Sequence, residues 1–524
     1  MTRNSAILAA IARREWLLQM LALGAAGCHR DRAHDRLRSR AATVIVSDRV
    51  GAAAFNPAED TWAKFLVFLP LVSRAENGDL EGRLARRWEH SPDYREWTYH
   101  LRPDVRWHDR TPVTAHDVKF SLDLLSHPDA RHFPPGYIES VTVVDDSTVT
   151  IRSTEHAAGD EHDWTVFYPK HLLEHLDPKE LSRWDFWTHP VGNGPYRFVR
   201  YLPQTMFELE ANADYFAGIP KIERVILKFD SQGSLTELLS GNVDAIGIAN
   251  PSETPTLRND PRFPVYHSPN GWVRALYWKN DDPLLRDARV RRALTLAIDR
   301  SELQRLLSVP ERFPVVDGPL PSGQLLSGRV PAPLPYDPTQ ARALLQAAGW
   351  RDRDDRGVRD RDGTPFQFTL LITGGGGALG VWYRTAVFVQ EQLQRIGVRM
   401  DIQQMDALAL RSRVQGGAFA AALDSGGGVG WFRRTFGDDS HLGYHNAEVT
   451  RLLDRLDGTA HPGERERIHQ RLIEIFQADV PVTFLGPIVW TTFAHRRLRG
   501  LSSPFRTNPL QHMGTLWLDN SSAP

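Results

Sequence analysis

The stretch DARVRRALTLAID, residues 287–299, indicates the kind of fold to which this chain belongs. Its apolar residues recur at the spacing of one helix face, which predicts a helix from Val290 to Leu303. The inward-facing residues are Val290, Ala293, Leu294, Ala297 and Ile298, and the outward-facing ones are Arg291, Arg292 and Arg300. An amphipathic helix of this kind covers the core of a larger domain.

Further helices and strands are predicted on both sides of this stretch. Thr114 is a helix N-cap with Asp117 at the third helical position. Asp337 and Pro338 begin another helix, which Gly349 ends in a left-handed conformation. A further helix spans roughly 381–395, and strand-like runs cover 42–46, 141–144, 148–151, 225–229, 366–372 and 398–402. The chain is therefore predicted to be α/β, in an irregular order that fits neither a single doubly wound sheet nor an eight-fold barrel.

Length and composition exclude several classes of protein. With 524 residues, the chain is long enough for roughly three modules or two large lobes. Hydrophobic residues make up 41%, charged residues 24%, and the mean hydropathy is −0.39, which excludes wholesale disorder and a polytopic membrane protein. The formal net charge of −1 gives no strong positive field, so nucleic acid is not an expected partner.

The amino terminus is predicted to be an export signal. Arg13 and Arg14 precede an apolar run, residues 17–27, which ends at the single cysteine, Cys28. Small residues before a cysteine favour cleavage there and lipid attachment to the thiol. We therefore expect a signal peptide with a lipobox over 1–28, a solvated tether over 29–41, and a periplasmic or extracytoplasmic protein that the lipid on Cys28 anchors to a membrane.

Two other interpretations of this segment stay open. The run could be a buried apolar helix with a chance cysteine, although it is shorter than a membrane span of about 20 residues. The pair Arg13-Arg14 also resembles a twin-arginine export signal, with Trp16 where that pattern usually has Phe.

The sequence contains no recognised catalytic motif. It lacks a nucleophile elbow, a Walker loop, a zinc-protease helix and a dinucleotide-binding fingerprint. The glycine run 374–377 is expected to be a flexible turn, because no Lys-Ser or Lys-Thr follows it. His108 and His116 do not have a metal-ligand spacing and are expected to be ordinary turn or surface residues. We therefore expect no enzyme activity, no metal site and no cofactor.

Read in order, a series of sequence blocks resembles the family-5 extracellular solute-binding proteins. The blocks are LARRWEH (84–90), WTYHLRPDVRWHD (97–109), TPVTAHDVKFS (111–121), VGNGPYRF (191–198), LSGNVDA (239–245), residues 287–299, YDPTQARALLQAAG (336–349) and residues 390–398. They follow the family's order and spacing over nearly the whole mature chain. That family contains the dipeptide-, oligopeptide- and nickel-binding components of ABC importers.

Some of these blocks are expected to be structural. The glycines of 192–196 permit tight backbone geometry, so this block should shape the scaffold and not touch the solute. The aromatic side chains of Trp88, Trp97, Tyr99 and Trp107 should pack a core or a sheet face.

The resemblance implies a two-lobed periplasmic-binding-protein fold, class II-like with an extra subdomain. Lobe I would comprise 42–268 and 487–524, with an inserted subdomain at about 80–185, and lobe II would comprise 269–486. The chain would cross between lobes near 266–274 and 485–489, at a hinge that closes on the solute. The implied partners are a small peptide or peptide-like solute and the permease subunits of an ABC importer, with the protein itself a monomer.

The stretch from Asp424 to Trp431 is the predicted solute site. Peptide-binding members carry an aspartate here that pairs with the peptide amino terminus, but this chain has Gly428 and Val429 at the expected place. Either Asp424 substitutes, another carboxylate reaches in, or the solute has no free amine. We expect a loop whose residues Asp424, Ser425, Gly426 and Gly427 approach the solute and whose Trp431 forms a stacking wall.

Three more residues complete the predicted site. Trp272 would close over the solute from the hinge. Arg384, with Tyr383 beside it, lies close to where some dipeptide-binding relatives hold the substrate carboxylate, and a guanidinium suits bidentate pairing. Two alternatives stay open for the whole protein: a sensory or interaction module without transport, and a binder of a non-peptide solute such as a glycan, an opine or a metal chelate.

Overall fold

The computed structural model describes residues 43–48, 54–56, 62–74, 80–127, 137–154, 165–229, 234–248, 255–318, 331–352, 357–374, 379–459, 461–502 and 509–519. The predicted signal peptide, the tether and Cys28 lie outside them, as do residues 375–377 of the glycine run. Within these ranges, no helix has the length and apolar content needed to cross a bilayer.

The strands and helices follow one another irregularly along the chain. The strands are β1 (Thr43–Asp48), β2 (Val72–Arg74), β3 (Leu80–Gly82), β4 (Ala85–His90), β5 (Glu96–Leu101), β6 (Ile138–Asp145), β7 (Thr148–Ser153), β8 (Tyr196–Leu202), β9 (Met206–Ala211), β10 (Arg224–Phe229), β11 (Ala245–Ile248), β12 (Val265–Trp278), β13 (Asp360–Arg361), β14 (Thr364–Pro365), β15 (Gln367–Thr373), β16 (Arg399–Met405), β17 (Ala421–Gly427), β18 (Val482–Ala494), β19 (Leu498–Arg499) and β20 (Trp517–Leu518). The helices are α1 (Lys64–Val67), α2 (Ala115–Leu125), α3 (Lys170–Leu173), α4 (Ser234–Leu239), α5 (Pro255–Arg258), α6 (Ala288–Leu296), α7 (Arg300–Leu306), α8 (Pro338–Ala347), α9 (Leu379–Gln394), α10 (Ala407–Gln415), α11 (Gly428–Phe436), α12 (Ala447–Asp457) and α13 (Pro462–Asp479). The prediction of a mixed α/β chain is confirmed.

A ten-stranded sheet connects the two halves of the molecule. Its strand order is β16-β15-β17-β12-β18-β11-β1-β10-β9-β8. The two long strands in its middle, β12 and β18, pair antiparallel from Val265 opposite Phe493 to Tyr277 opposite Val482. β17 pairs with the second half of β12, and β11 pairs with the second half of β18. The two long strands therefore run from one half of the sheet into the other.

The pairing of β12 with β18 is irregular near its middle. The register shifts between Pro269 and Val273 and again between Arg274 and Ala275. Gly271, with φ +80°, and Gly486, with φ +128°, adopt backbone conformations that other residues rarely take. These positions fall in the segments 266–274 and 485–489, where the resemblance places the two crossings between lobes.

The apolar side chains of the described residues form four clusters, two in each of two parts of the chain, and we call each pair of clusters an interior. One interior is built from residues 44–266 and 493–518, around side chains such as Phe207 and Ile246. The other is built from residues 273–485, around side chains such as Trp278 and Phe436. Since β12 and β18 lead from one interior to the other, they are the described strands that join them.

A four-stranded antiparallel sheet, β4-β5-β7-β6, extends the first interior. Trp97 and Tyr99 on β5 are buried, as is Trp107, and Trp88 on β4 is partly buried against the same core. The prediction that these aromatic side chains pack a core is confirmed.

The block 192–196 is also structural, as predicted. A Cβ atom at Gly192 would lie 1.9 Å from the carbonyl oxygen of Val67, so only glycine fits this close approach. Between Gly192 and Gly194, His108 accepts from the Gly192 amide through Nδ1 (3.1 Å) and donates to the Gly194 carbonyl through Nε2 (3.1 Å). Burial lowers the pKa of His108 to about 4, so the ring is a neutral part of the scaffold.

Local capping chemistry confirms two predicted helices. Thr114 and Asp117 form a capping box at α2, in which the Thr114 amide donates to the Asp117 carboxylate at 2.8 Å. The Asp337 carboxylate accepts from the Gln340 amide at 2.8 Å to begin α8, and Gly349 follows the helix with φ +90°.

The predicted helix from Val290 to Leu303 is wrong in two respects. It is two helices, α6 and α7, because the Asp299 carboxylate accepts from the Glu302 amide and begins a new helix. Arg291 and Arg300, predicted to face outward, are buried. Arg291 donates to backbone carbonyls at the end of α13, and Arg300 pairs with Asp317. Acceptors from distant parts of the sequence therefore surround both guanidinium groups in place of water.

Candidate functional site at the sheet edge

Three strands of the second interior have their carboxyl ends side by side, at what we call the carboxyl edge of the sheet. β15 is parallel to both β16 and β17, so the carboxyl ends of these strands lie together. Helices α9, α10 and α11 each begin just after one of these ends. The middle of β12 reaches the same edge, because Trp272 lies opposite Gly427 in the antiparallel pairing. In α/β sheets this edge is where ligands bind.

The predicted loop from Asp424 to Trp431 is a strand end followed by a helix. Residues 424–427 complete β17 and pair with 272–275 of β12, and α11 begins at Gly428. The glycines serve close packing within the chain: a Cβ at Gly426 would lie 2.0 Å from the Trp431 indole, and one at Gly427 would lie 2.5 Å from the Gly271 carbonyl oxygen. The sequence signals close approach at these positions but not which atoms approach.

Trp431 is held within the second interior. Its indole Nε1 donates to the Tyr277 hydroxyl at 3.0 Å, and its ring meets Phe432 edge-on with the centroids 4.5 Å apart. The side chain is partly buried. Its role as a stacking wall for the solute stays a prediction.

Trp272 and Tyr383 are the exposed aromatic residues of the predicted site. Each side chain is 47% exposed, Trp272 on β12 and Tyr383 near the start of α9. Large apolar side chains exposed beside a predicted cleft are typical of surfaces that cover a ligand. Arg384, the next residue on α9, is partly buried.

Asp424 is a partly buried carboxylate near Tyr277. Burial raises its pKa. Two features partly oppose this rise: the Ser425 amide donates to Oδ1 at 2.8 Å, and Arg411 contributes a positive charge. Its negative charge also contributes to the raised pKa of the Tyr277 hydroxyl. No described basic side chain forms an ion pair with Asp424.

The sequence reasoning missed Arg274 and Trp382. Arg274 is the cross-strand neighbour of Ser425, and its guanidinium carbon lies 5.3 Å from the ring centroid of Trp382 on α9. Burial lowers the pKa of Arg274 to about 10. The available signal was a single cation between Val273 and Ala275, in the otherwise apolar and aromatic run 272–278. Throughout the described ranges, no group of three or more His, Cys, Asp or Glu residues is arranged to hold a metal ion.

Comparison with known proteins identifies the family. Residues 79–441 match the family model described as "Bacterial extracellular solute-binding proteins, family 5 Middle". The chain belongs to this family. The predicted family is thereby confirmed, and the solved structures described below confirm the predicted fold; the protein is a solute-binding component of the ABC-transporter type and not an enzyme.

Individual relatives extend over most of this family-5 protein. It is 28% identical to the oligopeptide-binding protein AppA of Bacillus subtilis over 417 residues, and this matched region covers 74% of each chain. The crystal structure of NikZ from Campylobacter jejuni, in complex with Ni(L-His), is similar with a TM-score of 0.72 and 25% identity over 91% of this chain and 99% of that one. The structure of B. subtilis AppA with a nonapeptide has a TM-score of 0.72 at 22% identity, over 91% and 99% of the two chains, and shows the fold alone.

Proposed function

We propose that this protein is exported, anchored by a lipid on Cys28, and captures a peptide or peptide-like solute between two lobes. Lobe I would comprise 42–268 and 487–524, including a subdomain at about 80–185, and lobe II would comprise 269–486. The monomeric receptor would then deliver the solute to the permease subunits of an ABC importer.

The two separate interiors are the observation that carries this proposal. Each interior would move as a body when the strands between them bend, and β12 and β18 are irregular near Gly271 and Gly486. A solute that contacts both bodies favours the closed arrangement by its extra contacts there. Trp272 lies on this connecting segment and would move toward the solute on closure.

Asp424 supports recognition of a free amine. A carboxylate that burial penalises, and that has no described basic partner, gains most from a ligand cation. Asp424, paired with the α-ammonium group of the solute, would then replace the family aspartate that is missing at Gly428 and Val429. Arg384 and Tyr383 on α9, together with Ser425, Gly426 and Gly427, would contact other parts of the solute.

A non-peptide solute is the second candidate. The lack of a carboxylate at Gly428 and Val429 favours it, because a solute without an amine needs no anion there. A glycan, an opine or a metal chelate would then occupy the same edge.

Thermal unfolding of ligand-free protein tests the proposal. Peptides with free amines, such as trialanine, should raise the melting temperature, by mass action on the folded state. N-acetyl-trialanine should raise it less, and Asp424→Asn should remove the difference between the two probes. Equal stabilisation of the wild type by both would contradict amine recognition, and stabilisation by neither would contradict binding of such peptides.

Mass measurement tests the anchor. Protein extracted from membranes should lack residues 1–27 and carry acyl groups, and Cys28→Ala should be released or remain uncleaved. A mature terminus elsewhere would overturn the lipid anchor without affecting solute capture.

A further inference from the structure

Three arginines are buried in the described part of the chain: Arg274, Arg291 and Arg300, with 8%, 4% and 5% of their surface exposed. Two of them have several protein acceptors. Arg291 donates to the carbonyls of Leu285 (2.8 Å) and Val480 (2.9 Å), among others. Arg300 pairs with Asp317 and donates to the Phe484 carbonyl at 2.9 Å. These contacts offset the cost of removing a guanidinium group from water.

Arg274 has no such acceptors among the described residues. Its Nε is fully buried and makes no hydrogen bond there, and no described carboxylate pairs with the group. Its one described side-chain interaction is with the face of Trp382. A cation–π contact is worth less than the hydrogen bonds that a buried guanidinium loses on leaving water. The described fold therefore leaves this buried guanidinium group without protein acceptors.

The surroundings of Arg274 suit a small anion. Ser425 lies directly opposite Arg274 on β17, so both side chains project from the same face of the sheet. The indole of Trp382 lies beside the guanidinium group and provides an apolar wall. At the same edge α11 begins at Gly428, with no acidic residue in its first turn.

At the start of neighbouring α10, a carboxylate of the chain accepts hydrogen bonds from the first backbone amides. There the Asp406 carboxylate accepts from the amides of Leu408 (3.0 Å) and Ala409 (2.9 Å). An anion supplied by the chain thus occupies the start of α10. At the start of α11 no described side chain accepts in this way.

We propose that Arg274, with Ser425 beside it, binds a carboxylate of the transported solute. This inference rests on the proposed solute-binding function and narrows the solute to acids, which excludes neutral glycans. Arg274 offers the planar fork that pairs with two carboxylate oxygens at once. The carboxylate-binding group would then lie on β12, between the lobes, whereas the sequence predicted Arg384 on α9 for this role.

Stability without solute gives the first test. In ligand-free protein, Arg274→Met should raise the melting temperature by about 2–4 °C, because it removes a cation without acceptors and keeps the apolar volume. The matched control, Arg291→Met, should lower the melting temperature, because it leaves several carbonyls without donors. A fall for Arg274→Met comparable to that for Arg291→Met would show that Arg274 is structural and would overturn the proposal.

Binding of paired probes gives the second test. Alanine peptides of two to five residues, each as the free acid and as the carboxy-terminal amide, should bind the wild type about 10- to 100-fold more tightly as acids. Arg274→Gln should abolish this preference, while Arg384→Gln should keep most of it. Equal binding of acids and amides, or an unchanged preference in Arg274→Gln, would overturn the proposal and leave peptide capture standing. If neither form binds the wild type, peptide capture fails, and the melting temperatures without solute still decide the role of Arg274.

Discussion

The indole nitrogen of Trp431 donates a hydrogen bond to the hydroxyl of Tyr277 at 3.0 Å, which ties α11 to β12. The two residues are 154 positions apart in the chain, and they meet on the face of the sheet that carries Asp424. This contact makes Trp431 a structural residue as well as a predicted part of the solute site.

Replacement of Trp431 should therefore affect folding as well as binding. Trp431→Ala should lower the free energy of unfolding by about 2–3 kcal/mol, because the side chain is partly buried against Phe432 and Phe436. Tyr277→Phe, which removes only the hydroxyl, should lower it by about 1 kcal/mol. Urea unfolding of the ligand-free proteins measures both changes. An unfolding midpoint for Trp431→Ala equal to that of the wild type would show that the indole does not support the fold.

Arg384 should affect binding more than folding. Arg384→Ala should weaken binding of a cognate solute by about 1–3 kcal/mol if the side chain contacts it, with little change in the melting temperature of the ligand-free protein. Calorimetric titration compares the variant with the wild type, and Arg399→Ala, on the exposed surface of β16, is the control. Unchanged affinity would remove Arg384 from the site.

His108 should make stability depend on pH. Its pKa is about 4 in the folded protein and near 6.5 when unfolded, so below pH 6.5 the unfolded chain binds a proton that the folded chain excludes. This contribution, about 3 kcal/mol, is complete above pH 6.5 and is lost as the pH falls toward 4. Protonation of Nδ1 would oppose the Gly192 amide that donates to it.

The variant His108→Gln isolates this effect from that of other histidines. Chemical unfolding at several pH values should give a shallower fall in stability between pH 6.5 and pH 4 for His108→Gln than for the wild type. Parallel curves for the two proteins would show that His108 titrates normally.

Two glycine substitutions should have opposite effects. Gly192→Ala should destabilise the protein by about 2 kcal/mol or more, because the new methyl group would overlap the Val67 carbonyl. Gly380→Ala, in α9 with no atom within 4 Å of the new methyl group, should stabilise it by about 0.5–1 kcal/mol. Thermal unfolding of both variants measures the difference, and a neutral Gly192→Ala would contradict the tight packing of this block.

Local chemistry decided which elements could be predicted from the sequence. Thr114 with Asp117, and Asp337 with Gly349, act within a few residues of one another, so their helices were predictable. Asp299 also begins a helix, but the apolar spacing continued through it and concealed the break. The burial of Arg291 depends on carbonyls near residue 480, which no local pattern reveals.

The candidate site was predictable only in part, for a related reason. The sequence marked 424–431 through its glycines, but glycine permits close approach without specifying the neighbour, and the neighbour of Gly426 is Trp431. Arg274 was overlooked because it differs from other buried arginines only in the hydrogen-bond acceptors that its guanidinium group lacks in the described fold. The lack of acceptors becomes visible only when the surroundings of Arg274 are compared with those of Arg291 and Arg300 in the folded protein.

Small-angle scattering with and without a bound solute tests the central claim most directly. The measurement compares ligand-free protein with the same protein saturated with a solute. Calorimetry first establishes that this solute binds. Closure of two lobes about β12 and β18 predicts a smaller radius of gyration in the saturated sample. A radius that stays the same at full saturation would contradict capture by hinge closure.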